Sequence, residues 1–330
     1  MDERTEKIRR ALSSHGAELV NVTPLYGGAC QENFKVELKH EGKDLKLAMR
    51  SDAARSLPGS LKRKDEFAVI EAAVKAGVRT PAARWLSPGL LRDGADAYFL
   101  DWAPGEAIGR RIVREKELET ARSRLPAELA QSLARLHAVR PSDSASLPLG
   151  KPPERPSLWA LKQLREMLDS LPVPFPAVEL SLKWLEERAP AKEDVVLVHG
   201  DFRTGNFLVT SNGLAAILDW EFAHWGSPYE DLAWISVRDW RFGRLDKPIG
   251  GFAKREHFYT AYQTAGRPKV DEAQVLWWEI MGNLRWAVGS AYQGERYLSG
   301  EERDLELIAI ARRAVEMEWE ALRLIRRGKL

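Results

Sequence analysis

His199-Gly200-Asp201-Phe202-Arg203-Thr204-Gly205-Asn206 is followed, thirteen positions after its asparagine, by Asp219-Trp220-Glu221. An aspartate, an asparagine five positions on and a second aspartate are the oxygen donors that phosphoryl transfer from a nucleotide needs. One carboxylate orients the attacking hydroxyl, while an amide and a second carboxylate hold Mg²⁺ on the phosphates. The spacing makes Asp201 the candidate catalytic group and Asn206 and Asp219 the candidate metal ligands. Asp201 would act mainly by alignment, because the transition state is loose and the alcohol need not be fully deprotonated. The structural alternatives are a loop aspartate bonded to nearby amides and a turn residue at a strand end.

Short apolar runs must position these groups. Residues 195–198, 207–209 and 214–218 read as strands, which puts the polar residues at strand ends and in the loop between them. Upstream, residues 1–20 read as a short helix with Ile8, Leu12 and Leu19 on one side. Phe34, Val36 and Leu38, then Leu45, Leu47 and Met49, alternate with polar residues on either side of Glu41-Gly42-Lys43, the pattern of a hairpin. Residues 61–76 switch to helical spacing (Phe67, Ile70, Val74) and stop at Gly77. A second hairpin is expected from residues 82–86 and 97–102 around Asp93-Gly94. From Gly105 onward helices dominate, with Leu129, Leu133 and Leu136 on one face. Residues 141–156 hold five prolines and read as an irregular loop. A final helix is expected to open at the capping-box pattern Ser299-Gly300-Glu301-Glu302 and run through Leu305, Ile308, Val315 and Leu322. The fold class is α+β: a small antiparallel sheet with a helix, then a larger, mostly helical part.

Composition narrows the function classes. The 330 residues are 44% apolar, enough for a substantial core, and 50 Lys plus Arg face 48 Asp plus Glu. A net charge of +2 gives no support for a nucleic-acid or anionic-membrane partner. Cys30 is the single cysteine, so no internal disulfide forms, and no Cys/His spacing resembles a zinc site. The charged start Met1-Asp2-Glu3-Arg4 lacks the apolar core of a signal peptide, and no run approaches the roughly 18 apolar residues of a membrane span. A cytoplasmic protein is expected.

Taken in order, these segments resemble the aminoglycoside phosphotransferase family, whose relatives include choline and homoserine kinases and, more distantly, the protein kinases. The resemblance implies a two-lobed, protein-kinase-like fold, with a nucleotide-binding lobe over 1–103 and a catalytic and acceptor-binding lobe over 104–330. Gly27-Gly28-Ala29-Cys30-Gln31-Glu32-Asn33, before the first expected strand, resembles the nucleotide loop, with Gly27 and Gly28 letting backbone N–H groups approach phosphate. Leu47-Ala48-Met49-Arg50 resembles the strand ending in the phosphate-binding cation. Arg50 stands where lysine is usual, and Glu66 is its expected partner, with Asp65 as a rival. Residues 99–106 resemble the hinge, where Asp101 and Trp102 would offer backbone groups to adenine. Arg203 occupies the position of a γ-phosphate-contacting lysine, or is a solvated surface arginine. Glu221 would bind a second metal through water or make a simple polar contact. His199 is expected to pack inside, and Asp231 to brace the loop.

ATP as co-substrate, Mg²⁺ and a small-molecule hydroxyl acceptor are what the resemblance implies. Arg50 and the segment from Trp277-Trp278-Glu279 to Asn283-Leu284-Arg285-Trp286 are similar to a branch joined to, or encoded beside, acyl-CoA dehydrogenases. Most of the tryptophans after residue 219 are expected in the core. The mixture of Trp with Arg238, Arg241, Arg244 and Arg285 suits an acceptor with an apolar part and a negative group, such as a hydroxyacyl-CoA. Aminoglycosides, choline or homoserine are alternative acceptors. A non-catalytic nucleotide-binding regulator is the alternative from another class.

Overall fold

Alternating apolar and charged side chains over 32–51 build the centre of a five-stranded sheet. The structure, a computed structural model, describes residues 3–25, 32–52, 57–144 and 146–330. Its first part comprises α1 (Glu3–Ser13), β1 (Ala17–Pro24), β2 (Glu32–His40), β3 (Lys43–Ser51), α2 (Arg63–Lys75), β4 (Ala83–Ser87) and β5 (Ala97–Asp101). The strands lie in the order β1-β2-β3-β5-β4, each pair antiparallel. The β2–β3 turn is made by Glu41 at φ 50° and Gly42 at φ 74°, the two left-handed residues that match the twist of a tight hairpin.

Period-two patterning gives the sheet two apolar faces. Phe34, Val36 and Leu38 of β2, Leu47 and Met49 of β3 and Phe99 of β5 pack on Ile8 and Leu12 of α1. Tyr98 and Leu100, on the other side of β5, belong to the core that includes Val69, Ile70 and Ala73 of α2. That packing holds α2 against β4 and β5, next to β3, the strand that carries Arg50.

Among the described residues that follow, helices dominate and four short strands occur: α3 (Gly109–Arg114), α4 (Glu119–Leu136), α5 (Pro156–Asp169), α6 (Pro176–Glu187), β6 (Val196–Val198), β7 (Phe207–Thr210), β8 (Gly213–Ile217), β9 (His224–Gly226), α7 (Pro228–Trp234), α8 (Arg255–Thr264), α9 (Glu272–Leu298), α10 (Leu305–Ala311) and α11 (Ala314–Arg327). β6 pairs with β9 and β7 with β8, so the stretch from 199 to 223 is pinned at both ends and in the middle. Leu125, Leu129, Leu133 and Leu136 line the buried face of α4. Among the described residues, no helix is long and apolar enough to cross a membrane.

Two expected helices are corrected. The first stops at Ser13, and Gly16 at φ 72° turns the chain into β1, where Ala17 and Leu19 face inward with period two. The loop at Gly27-Gly28 therefore joins β1 to β2 instead of preceding the first strand. Gly27 and Gly28 themselves lie outside the described residues. At the other end, Ser299 closes α9 and Gly300 at φ 78° breaks the chain. The cap that opens α10 is Asp304, accepting from Glu306 N–H at 2.8 Å, and the helix is interrupted at Arg312-Arg313 before α11.

Candidate active site

The 199–206 loop begins where β6 ends, and its backbone is held by Asp231 on α7. Asp231 accepts from the N–H groups of His199 (2.7 Å) and Gly200 (3.0 Å) and meets His137 Nε2 at 3.2 Å. Burial works against ionisation of Asp231, but the His137 and His199 hydrogen bonds outweigh it and hold its carboxyl below the ordinary value. Gly200 is obligatory here: it sits at φ 76°, and a Cβ would fall 2.1 Å from Phe222 O. His199 is fully buried. Its Nδ1 accepts from Asp201 N–H (3.2 Å), so Nε2 carries the proton toward Leu218 O (3.0 Å). That leaves no lone pair for base chemistry, and the residue packs inside as expected.

Asp201 itself is ringed by donors. Trp234 Nε1–H donates to Oδ1 and Asn206 Nδ2 to Oδ2, both at 2.7 Å, and Arg203 Nε lies 3.0 and 3.1 Å from the two oxygens. Asn206 Nδ2 also donates to the Asp201 carbonyl (2.9 Å). With its nitrogen committed, the amide oxygen of Asn206 is the atom a cation would use. The Leu218 N–H bonds Asn206 O at 2.8 Å, which draws the residue before Asp219 against the asparagine. Arg203 is not a solvated surface arginine. It pairs with Asp201 and lies over the Trp240 ring, 4.4 Å from its centroid.

Asp219 is reached from the sheet. Arg50 donates to its Oδ1 at 2.7 Å and lies 3.4 Å from Glu66 Oε1. Glu66 is fully buried and Asp65 is not, because only Glu66 faces the sheet from α2. Desolvation opposes the charge on Asp219, yet the Arg50 guanidinium prevails and keeps its carboxyl below the ordinary value. Asp219 also adopts φ 69°, a left-handed conformation rare outside glycine.

Arg63, at the start of α2, was not evident from the sequence. It is buried, pairs with Glu66, and donates to Glu221 Oε2 at 2.9 Å. Its helix-start position resembles that of any surface cation, so burial alone reveals it. Glu221 thus makes a polar contact. Burial, and then the neighbouring Asp219 charge, push its carboxyl up to about 7. At the hinge, the N–H of Asp101 donates to Ala82 O (3.0 Å) and that of Trp102 to Lys46 O (3.2 Å). Both donors are therefore used within the sheet, and a base bound there would meet carbonyl oxygens at these residues.

Asn206 and Asp219 suit Mg²⁺: hard oxygens, too few for an all-protein cage, at a carboxylate that already attracts a cation. No cluster of three or more metal-ligating His, Cys, Asp or Glu side chains occurs among the described residues. Mg²⁺, which completes its shell with water and phosphate oxygens, needs none.

Of the arginines expected to face an acceptor, Arg241 is buried against Glu279 (2.8 Å) and Arg238 lies 3.5 Å from Glu320. Arg244 pairs with Asp246. Arg285 pairs with Glu230 (3.1 Å) and stacks on Trp234 (4.7 Å). Trp220, Trp225, Trp234, Trp240, Trp277 and Trp278 are core, and Trp319 is exposed.

A small antiparallel sheet carrying a buried Arg–Glu pair, set against a helical part whose loop presents Asp, Asn and Asp, defines a kinase-like phosphotransferase. Residues 21–272 match the model of the phosphotransferase enzyme family, APH, and the chain belongs to that family. It is 28% identical over 246 residues to acyl-CoA dehydrogenase family member 10 of Mus musculus, a match covering 71% of this chain and 22% of the relative. The chain thus spans about a fifth of that relative's length. Among solved structures it resembles a protein from Ralstonia eutropha JMP134 described as an aminoglycoside phosphotransferase (TM-score 0.74, 20% identity, 99% of each chain covered). It also resembles spectinomycin phosphotransferase in complex with ADP and spectinomycin (TM-score 0.62, 15% identity, 96% of this chain and 98% of that one). At these identities the structural likeness establishes the fold.

Proposed function

We propose that this chain transfers the γ-phosphoryl group of ATP to a hydroxyl of a small molecule, with the nucleotide between a lobe of residues 1–103 and a lobe of residues 104–330. The observation that carries the reading is the Asp201 carboxylate, held by Arg203, Asn206 and Trp234 beside the Arg50–Asp219 contact. Asp201 orients the hydroxyl and accepts its proton late. Arg50, steadied by Glu66, exchanges its contact with Asp219 for phosphate oxygens when nucleotide enters. Gly27 and Gly28 approach the phosphates through backbone, and the hinge at Asp101 and Trp102 meets the base. Mg²⁺, taken by the Asn206 oxygen and Asp219, offsets phosphate charge when bound. Arg203, paired with Asp201, is a second cation for the transferred group. The ADP held by spectinomycin phosphotransferase supports an adenine nucleotide.

The reading we favour is an acceptor other than a polycation. Glu230 is taken by Arg285 and by His224 (3.1 Å), and Asp239 by Arg313 and the Trp286 N–H (2.6 Å). An aminoglycoside needs carboxylates to spare, and these have none. The acceptor class we favour has an apolar part and a negative group, as a hydroxyacyl thioester of coenzyme A does. The matched relative's name, acyl-CoA dehydrogenase, points the same way. Mg²⁺-dependent ADP release against hydroxyacyl-CoAs, choline, homoserine and aminoglycosides, with Asp201→Ala as control, tests the reading. Stimulation by a hydroxyacyl-CoA that the substitution abolishes is the expected result. Stimulation by an aminoglycoside overturns the acceptor class. Nucleotide binding with no turnover on any acceptor favours a regulator.

A further inference from the structure

The loop carrying Asp201 is braced by two side chains one helical turn apart on α7. Asp231 receives the N–H groups of His199 and Gly200, and Trp234, three residues on, donates its indole N–H to Asp201. Residues at i and i+3 share a helix face, so α7 holds both the backbone of the loop and its carboxylate. A carboxylate offers about four lone-pair directions. Trp234 takes one on Oδ1, Asn206 one on Oδ2, and Arg203 Nε is shared between the oxygens. Each oxygen thus has two donors, and the direction Arg203 vacates on turning to a phosphate is the one open to a hydroxyl proton.

The three donors are not equivalent. Asn206 has a metal to face, and Arg203 is a partly exposed cation that a phosphate would attract. Trp234 is uncharged, 5% exposed and confined by its neighbours: Trp240 at 5.7 Å between ring centroids and the Arg285 guanidinium at 4.7 Å. Among the described residues its indole N–H has no partner other than Asp201.

We infer that Trp234 is a positioning residue for phosphoryl transfer: its indole N–H sets the rotamer of Asp201, so that the lone pair Arg203 vacates faces the incoming hydroxyl. The inference rests on the reading of Asp201 as the hydroxyl-orienting group. A donor in a dry, packed site keeps its direction while charges rearrange around it. When Arg203 turns toward a phosphate, Trp234 still holds the carboxylate. Among the described residues Trp234 makes no hydrogen bond to Arg50, Glu66, Asp101 or Trp102, so its loss reads out in turnover and not in ATP affinity.

The experiment uses the full chain with Mg·ATP and water as the acceptor, repeated with whichever acceptor stimulates ADP release. Trp234→Phe keeps a ring and removes the N–H. Its expected effect is about a tenfold fall in kcat, with KM for ATP within about twofold of wild type. A parallel measurement needs no variant at this position: in chain labelled with ¹⁵N-tryptophan, the indole N–H groups of Trp234 and Trp286, each on a carboxylate, both lie downfield, and only the first moves upfield in Asp201→Asn. Unchanged kcat in Trp234→Phe, or no indole resonance responding to Asp201→Asn, overturns the positioning role. If Asp201→Ala itself leaves ADP formation intact, the reading of Asp201 falls first. If that substitution abolishes turnover while Trp234→Phe does not lower it, only the positioning role falls.

Discussion

Asp201 and Asp219 are carboxylates of one short stretch, yet they are held in opposite ways. Every donor on Asp201 comes from nearby in the chain, the most distant being Trp234, 33 residues on. The guanidinium on Asp219 comes from β3, 169 residues back, and belongs to the sheet. The Asp201 end is a self-contained loop whose geometry is complete once β6, β9 and α7 have packed. At the Asp219 end the contact exists only while sheet and helical part are together. Local bracing suits a group that must aim, and a contact across the seam suits one that must respond to nucleotide.

That contrast can be broken from either end. Asp201→Ala gives the largest effect: kcat lower by about a thousandfold with KM for ATP nearly unchanged, measured by ADP release at saturating acceptor. A comparable rise in KM instead would mean that the loop also serves nucleotide binding. Gly200→Ala attacks the same end through the backbone. A methyl 2.1 Å from Phe222 O at φ 76° costs about 3 kcal/mol, roughly a hundredfold in the unfolding equilibrium. A wild-type urea midpoint would show that the loop can relax.

The Asp219 end gives smaller numbers. Arg50→Met raises KM for ATP by about tenfold and lowers kcat less, and Arg50→Lys recovers part of the loss. A fall confined to kcat would contradict the separation of the two ends. The smallest effect is in acid. The Asp231 carboxyl lies below its ordinary value when folded, so its stabilisation is fully present above the unfolded carboxylate value of about 4. It is lost as pH falls through the depressed folded value. Asp231→Asn lowers the melting temperature near neutrality, and the gap to wild type closes toward pH 3. A gap that does not narrow would show that the bracing does not depend on the Asp231 charge.

Much of the scaffold was legible, for identifiable reasons. The β2–β3 hairpin and the helix α2 follow from strict periodicity ended by Gly42 or Gly77, and the β4–β5 hairpin from two apolar runs around Asp93-Gly94. The first and last helices misled because Leu19 and Leu305 fit a helical stripe, while Gly16 and Gly300, each at positive φ, break the chain before them. In the site, the choice of Glu66 over Asp65 needed the direction in which α2 faces. Arg63 and Trp234 were missed because a cation at a helix start and a tryptophan in an apolar segment look ordinary.

The order of residues alone pointed to the chemistry: an Asp, an Asn and an Asp at spacings that put hard oxygens at strand ends, with the candidate loop between short strands. Tertiary structure decided the partners. Arg203 turned to Asp201, Glu221 went to Arg63, Arg241 was buried against Glu279, and Trp234 was brought to the Asp201 carboxylate. Periodicity and spacing act within one element, whereas an ion pair or an indole hydrogen bond depends on which faces of distant elements are pressed together. Only packing settles that.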